Sequence, residues 1–106
     1  MKTILIIDDE EKLRTLLARI LQSEGFEVVE AGDCRGGLKK LEQHAIDVVL
    51  SDVKLPDGNG VDLLPKIKAA HPLVEVILLT AYGNISDGVQ AMKNGAFDYI
   101  VKGDDN

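Results

Sequence analysis

The sequence predicts a doubly wound α/β domain, in which helices cover both faces of a parallel sheet. Short apolar runs rich in β-branched residues alternate with segments of helical period, and acidic or hydroxyl residues follow several of those runs. Parallel strands joined through helices cross over in a right-handed sense, which places helices on both faces. Ligands of such sheets bind outside the carboxyl ends of the strands, so the functional residues are expected there.

Five apolar runs are the predicted strands, namely 4–7, 28–29, 48–50, 76–79 and 99–101. Four helices are expected between them. The first has an apolar stripe with spacings of three and four residues and is ended by a glycine; the stripe and the glycine are Leu13, Leu16, Leu17, Ile20, Leu21 and Gly25.

The other three helices have clear sequence boundaries. Asp33 is a good N-cap for the second helix. Residues 60–70 predict the third, where Pro65 comes late for a first-turn proline and is expected to kink or delay the helix. Residues 84–94 predict the fourth, which ends at Asn94 and Gly95.

Composition predicts one domain over residues 1–106 and a cytoplasmic location. A chain of 106 residues with 45% hydrophobic content can build one compact core. No apolar run approaches the roughly 20 residues that cross a bilayer. The net charge of −6 disfavours nonspecific binding to nucleic acid or to anionic membranes. Cys34 is the only cysteine, so no intramolecular disulfide is possible.

Polar residues end four of the predicted strands and should meet at one edge of the sheet. Asp8 and Asp9 follow the first strand, Asp52 ends the third, Thr80 the fourth and Lys102 the fifth. Three carboxylates brought together would repel one another without a cation. Oxygen ligands of this kind suit Mg²⁺, with Mn²⁺ as a substitute.

The motifs IIDDE, SDVKLPDGNG, TAYG and FDYIVK, taken in this order, make the chain resemble the receiver domain of two-component response regulators. The TAYG stretch, residues 80–83, and its spacing from Asp52 resemble the NtrC-type regulators, which carry a transcription-activating ATPase domain. The resemblance implies a flavodoxin-like strand order 2-1-3-4-5. It also implies that Asp52 accepts a phosphoryl group from a phosphohistidine on a sensor histidine kinase. Asp9, Asp52 and the backbone carbonyl of Lys54 would ligate Mg²⁺, and Asp8 would act through a bound water.

The same resemblance implies a switch. Lys102 would pair with a phosphoryl oxygen, Thr80 would hydrogen-bond another, and Tyr99 would change rotamer in response. We expect residues 80–95 to change conformation and to control an output such as transcription, through an attached or separate output domain. The domain would catalyse its own phosphotransfer and dephosphorylation without being an enzyme that turns over a separate substrate.

Two departures from the family pattern bear on these expectations. Gly103 stands where the family usually has proline after the lysine, so the direction of Lys102 is less rigidly fixed. Residues 1–106 also lack the fifth helix of the family. We therefore expect the apolar face of the first and last strands to be partly exposed and to favour self-association.

Two other functions stay open at this point. A phosphatase with an aspartyl nucleophile would need a general acid two residues after Asp52, where Lys54 stands. A receiver-like interaction module that is not phosphorylated would be expected to lack an acid or the lysine, and this chain keeps both. Taken singly, Asp9 could be a helix cap, Thr80 an ordinary strand residue and Tyr99 a packing residue.

Overall fold

The computed structural model describes residues 1–81 and 85–101, and its main element is a five-stranded parallel sheet. Short β-branched and leucine-rich runs form the strands of this sheet, as predicted, with ends that extend one or two residues further. The strands are β1 (Thr3–Ile7), β2 (Glu27–Ala31), β3 (Val48–Asp52), β6 (Glu75–Thr80) and β7 (Asp98–Val101); β4 (Lys54–Leu55) and β5 (Gly58–Asn59) form a separate antiparallel hairpin.

Four helices connect the strands of the sheet within the described residues: α1 (Glu11–Ser23), α2 (Cys34–Gln43), α3 (Gly60–Ala70) and α4 (Ile85–Lys93). The predicted boundaries are close to these. The Asp33 carboxylate caps α2 by accepting the N–H of Gly36 at 2.7 Å. Gly25 lies just beyond α1 with a φ of 97°, a conformation that glycine adopts without strain.

The strand order is β2-β1-β3-β6-β7. Because β4 and β5 lie outside this sheet, the order equals 2-1-3-4-5 of its five strands, and the predicted fold class is confirmed. Ile7 pairs with Ser51, and Asp52 pairs with Leu79. This register brings the residues at the ends of β1, β3 and β6 to the same edge of the sheet.

The central strands are buried on both faces. On one face Leu5, Val49 and Leu78 are completely buried beneath α2, α3 and α4. On the other face Ile4 and Ile6 pack against Ala18 of α1. Truncation of such a core leucine or isoleucine to alanine typically costs about 2–5 kcal/mol, so this packing holds the strand ends in a fixed arrangement.

Two sequence expectations need correction. Pro65 does not delay α3, because the Asn59 side chain accepts the N–H of Val61 at 2.7 Å and starts the helix at Gly60. The exposed Pro65 removes one backbone donor without ending the helix. The first strand is not exposed either, because α1 covers Ile4 and Ile6, which are 7% and 1% exposed.

The last strand is partly exposed, as expected, because apolar side chains of β7 reach solvent, and further exposed apolar side chains lie on the outer surface of α1 and along α4. Leu16 of α1 is 54% exposed. The others of this kind include Ile20, Val89, Met92, Phe97, Ile100 and Val101. None of the helices in the described part of the chain is long and apolar enough to cross a membrane.

Candidate functional site

Three acidic side chains meet at the carboxyl end of the sheet. Asp8 directly follows β1 and is 2% exposed, Asp9 is exposed, and Asp52, the last residue of β3, is half-buried. A carboxylate oxygen from each lies within 4.8 Å of the other two. Sequence reasoning placed these three residues at one edge, and the structure brings them together there.

This acidic cluster, Asp8 with Asp9 and Asp52, suits a hard divalent cation. All its donors are oxygens, which Mg²⁺ prefers, and the graded exposure of the three residues leaves one side open to solvent. At a Mg–O distance of about 2.1 Å, two ligands of one ion are at most about 4.2 Å apart. The three oxygens lie within 4.8 Å of one another, which is compatible with a shared ion, directly or with one ligand bound through a water.

Asp8 is fixed by hydrogen bonds to both its backbone groups and its side chain. Its N–H donates to the Ala31 carbonyl at 3.0 Å, and its carboxylate accepts the N–H of Glu10 at 2.9 Å. Its carbonyl accepts a hydrogen bond from the Arg14 guanidinium at 2.7 Å, and Arg14 is in turn paired with Glu30 at 3.0 Å. Arg14 and Glu30 were not predicted from the sequence, because no local pattern links a residue of α1 to a residue of β2.

The β4–β5 hairpin follows Asp52 directly and carries Lys54. Gly60 closes it by donating its N–H to the Val53 carbonyl at 2.7 Å. A side chain at residue 60 would collide with the Asp52 carbonyl, so only glycine fits here. This close approach fixes the backbone that directly follows Asp52.

Asp57, in the turn of the hairpin, joins the hairpin to α2. Its carboxylate accepts the N–H groups of Cys34 at 2.7 Å and Arg35 at 3.0 Å. The Arg35 N–H, and next that of Cys34, lower the pKa of Asp57. Burial and then the neighbouring Asp57 carboxylate raise the pKa of the Cys34 thiol from 9.0 to about 11. Cys34 is therefore an uncharged packing residue.

The remaining predicted residues are distributed around this edge. Thr80 ends β6 and is 3% exposed. Tyr99 lies in β7, with its ring against Gly88 of α4. Its hydroxyl is buried and has no hydrogen-bond partner in the described part of the chain. Lys102 and Gly103 lie outside the described residues, as does part of the segment 80–95.

Comparison with curated proteins finds relatives of the chain among bacterial transcriptional regulators. It is 35% identical over 99 residues to the transcriptional regulatory protein ZraR of Escherichia coli K12. This match covers 93% of the chain but 22% of ZraR. The chain thus spans about a fifth of the length of the curated relatives it matches.

Two solved structures share the fold over 99% of the chain. The beryllofluoride-activated NtrC4 receiver domain dimer is 35% identical with a TM-score of 0.92, and 87% of that chain is covered. A response regulator from Burkholderia pseudomallei, solved with a phosphorylated aspartic acid, a calcium ion and citrate, is 30% identical with a TM-score of 0.92 over 62% of that chain.

The relatives are regulators of the NtrC type, as the TAYG stretch and its spacing from Asp52 predicted. The family model of the response regulator receiver domain matches residues 4–106. With nearly the whole chain matched, and with the strand order and acidic edge described above, the protein belongs to the response regulator receiver domain family.

Proposed function

We propose that Asp52 accepts a phosphoryl group from a sensor histidine kinase and that the resulting change in residues 80–95 controls an output. The observation that supports this proposal most strongly is the approach of the Asp8, Asp9 and Asp52 carboxylates to within 4.8 Å. The phosphorylated aspartic acid in the Burkholderia relative supports the same chemistry for this family. We assign the reaction to the cytoplasm, where the kinase domain of such a partner would act.

In the proposed reaction an oxygen of the Asp52 carboxylate attacks phosphorus, and the bond between phosphorus and the imidazole nitrogen of the donor breaks. The electron pair of that bond stays on the imidazole. Asp52 suits this role because it is half-buried, at the end of a rigid strand, with one side toward the open edge. We assign Lys102 to a phosphoryl oxygen, where an ammonium would offset the negative charge of the transferred group.

Asp9, Asp52 and the Lys54 carbonyl are the proposed ligands of Mg²⁺, with Asp8 acting through a water and Mn²⁺ as a substitute. When bound, the ion would neutralise charge on the phosphoryl oxygens, which lets an anionic carboxylate approach an anionic donor. The buried Asp8 is already held by the Glu10 N–H, which suits an indirect role. Exposed Asp9 is accessible for direct ligation.

Thr80 and Tyr99 are the proposed switch residues. A phosphorylated Asp52 carries more negative charge and more acceptor oxygens than the carboxylate, so it offers the Thr80 hydroxyl an additional, stronger acceptor and draws it toward the phosphoryl group. Movement there would free space for the Tyr99 ring, which packs against Gly88. Gly88 inside α4 lowers the helical stability by about 1 kcal/mol relative to alanine, which makes remodelling easier.

The partner and the output are part of this proposal. ZraR is a transcriptional regulatory protein of which this chain matches 22%, so the output is proposed to be transcription, exerted by a domain outside this match. We also propose that the domain self-associates through exposed apolar residues such as Leu16 and Met92. The NtrC4 relative is a dimer in its activated form, which supports this arrangement.

Neither alternative function gains support. A phosphatase would need an acid at residue 54, and Lys54 stands there, exposed in β4. The acids of the cluster are all present, which removes the reason to expect a nonphosphorylated module.

Intact mass after incubation with acetyl phosphate tests the proposal. One phosphoryl adduct is expected with Mg²⁺ and none with excess chelator or in Asp52→Asn. An adduct that persists in Asp52→Asn, or no adduct at all in the folded protein, contradicts the proposal. Amide exchange with beryllofluoride should change most within residues 80–95, and unchanged exchange there contradicts the proposed switch.

A further inference from the structure

Arg14 lies beside the acidic cluster although its positive charge opposes cation binding. Its guanidinium donates to the Asp8 carbonyl at 2.7 Å and pairs with Glu30 of β2 at 3.0 Å. Its side chain is 19% exposed, so the guanidinium is held between α1 and the end of β2. The position of this guanidinium beside a metal site therefore requires an explanation other than its positive charge.

The Asp8 carbonyl belongs to the same peptide unit as the N–H of Asp9. A peptide unit is planar, so a hydrogen bond that fixes this carbonyl also fixes the direction in which the backbone enters Asp9. The Asp8 N–H is already bonded to Ala31, so Arg14 restrains the second end of the residue. The backbone from which both carboxylates of the Asp8-Asp9 pair extend is thereby fixed.

We propose that Arg14 is a positioning residue for the divalent cation site, and that Glu30 holds it in place. The inference rests on the proposed function, because it assumes that the acidic cluster binds Mg²⁺. Arg14 itself touches no ligand of the reaction and acts through the Asp8–Asp9 peptide. The two-pronged guanidinium is required, because one group must reach both the Asp8 carbonyl and the Glu30 carboxylate.

The positioning role and the electrostatic effect of the charge predict opposite results. If charge alone mattered, replacing Arg14 with a neutral residue would remove repulsion and tighten cation binding. If Arg14 orients the ligands, the same substitution weakens binding, by about ten-fold, as is typical for residues that orient metal ligands. The sign of the change therefore decides between them.

Metal binding without any phosphodonor is the test. Free Mn²⁺ is followed by electron paramagnetic resonance, and Mg²⁺ affinity is obtained by competition. Arg14→Met is expected to weaken both ions by about ten-fold. Arg19→Met is the matched control, since Arg19 is an exposed arginine of the same helix, and it should bind within about two-fold of the unsubstituted protein or slightly tighter.

Arg14→Lys keeps the charge but not the fork, and should weaken binding by at least about three-fold. Circular dichroism in the presence of chelator shows whether Arg14→Met folds. If it does not, Arg14→Lys alone tests the positioning role. Unchanged or tighter binding in both Arg14 variants overturns the inference. If the unsubstituted protein does not bind Mg²⁺, the proposed function itself fails. If it binds Mg²⁺ and both Arg14 variants bind equally well, only the inference about Arg14 fails.

Discussion

The Asp57 carboxylate accepts the backbone N–H of Cys34 at 2.7 Å and so attaches the β4–β5 hairpin to the first turn of α2. The second oxygen accepts the N–H of Arg35 at 3.0 Å. A helix N-terminus has unpaired N–H groups and a partial positive charge, both of which favour a carboxylate there. The loop that follows the proposed phosphoacceptor is therefore anchored by a residue distant in sequence from its partners.

Asp57→Ala should lower stability in a manner that depends on pH. The folded state depresses the pKa of Asp57 below its ordinary value of 3.8, so the stabilisation is complete well above pH 3.8 and is lost as the pH falls through the lower folded-state value. The urea midpoints of the two proteins should differ by a constant amount at pH 6–7 and converge only as the pH falls below 3.8 toward the folded-state pKa. A difference that stays constant as the pH falls well below 3.8 contradicts the assignment. Glu42→Gln, at an exposed position of α2, should show no such convergence.

The Cys34 thiol should react slowly with electrophiles. Burial and the Asp57 carboxylate raise its pKa from 9.0 to about 11, and only the thiolate is nucleophilic. Alkylation by iodoacetamide at pH 8 should be more than about ten-fold slower than that of an unstructured cysteine peptide. Asp57→Ala should accelerate it. Equal rates for the protein and the peptide would contradict this environment.

Gly60→Ala should destabilise the fold and impair the site. The new Cβ would meet the carbonyl of Asp52 and the Cα of Val53, and backbone atoms in this position cannot move aside as a flexible side chain can. We expect a loss of about 2–3 kcal/mol in urea unfolding and weaker Mg²⁺ binding. Gly88→Ala is the matched control, because its Cβ would only touch the Tyr99 ring at 3.4 Å, and it should be neutral or stabilising. Equal effects of the two substitutions contradict the account.

Lys68 should contribute to stability through carbonyl groups rather than through its ion pair. Its ammonium donates to the carbonyls of Pro72 at 3.0 Å and Val74 at 2.9 Å, beyond the end of α3. Lys68→Met should cost about 1–2 kcal/mol in urea unfolding. Glu75→Gln should cost less than about 0.5 kcal/mol, because the Lys68–Glu75 pair is long, at 3.8 Å, and Glu75 is exposed. A larger loss of stability in Glu75→Gln than in Lys68→Met would contradict this prediction.

The sequence predicted the sheet and the acidic edge because both follow from short-range patterns. The runs at 4–7 and 76–79 are apolar and β-branched, and strands of that kind are buried in the centre of a parallel sheet. Asp8, Asp9 and Asp52 come directly after such runs, so their meeting follows from strand polarity alone.

The remaining features depend on tertiary contacts that local patterns do not carry. Arg14 reads as one charged residue on a solvated helix face, and its two partners belong to other elements. Asp57 reads as a turn residue in Pro-Asp-Gly, and its role comes from the position of α2. The two-residue strands β4 and β5 are too short for a period to appear. The packing of α1 over Ile4 depends on where the helix lies against the sheet, and the number of predicted helices does not determine that position.

Reductive trapping of the phosphorylated protein tests the central claim most directly. Borohydride converts an aspartyl phosphate to homoserine, so peptide sequencing by mass spectrometry locates the phosphorylated carboxylate. After incubation with acetyl phosphate and Mg²⁺, homoserine is predicted at residue 52 alone, and at no position when the cation is chelated. Homoserine at any other aspartate, or at residue 52 irrespective of the cation, would contradict the account.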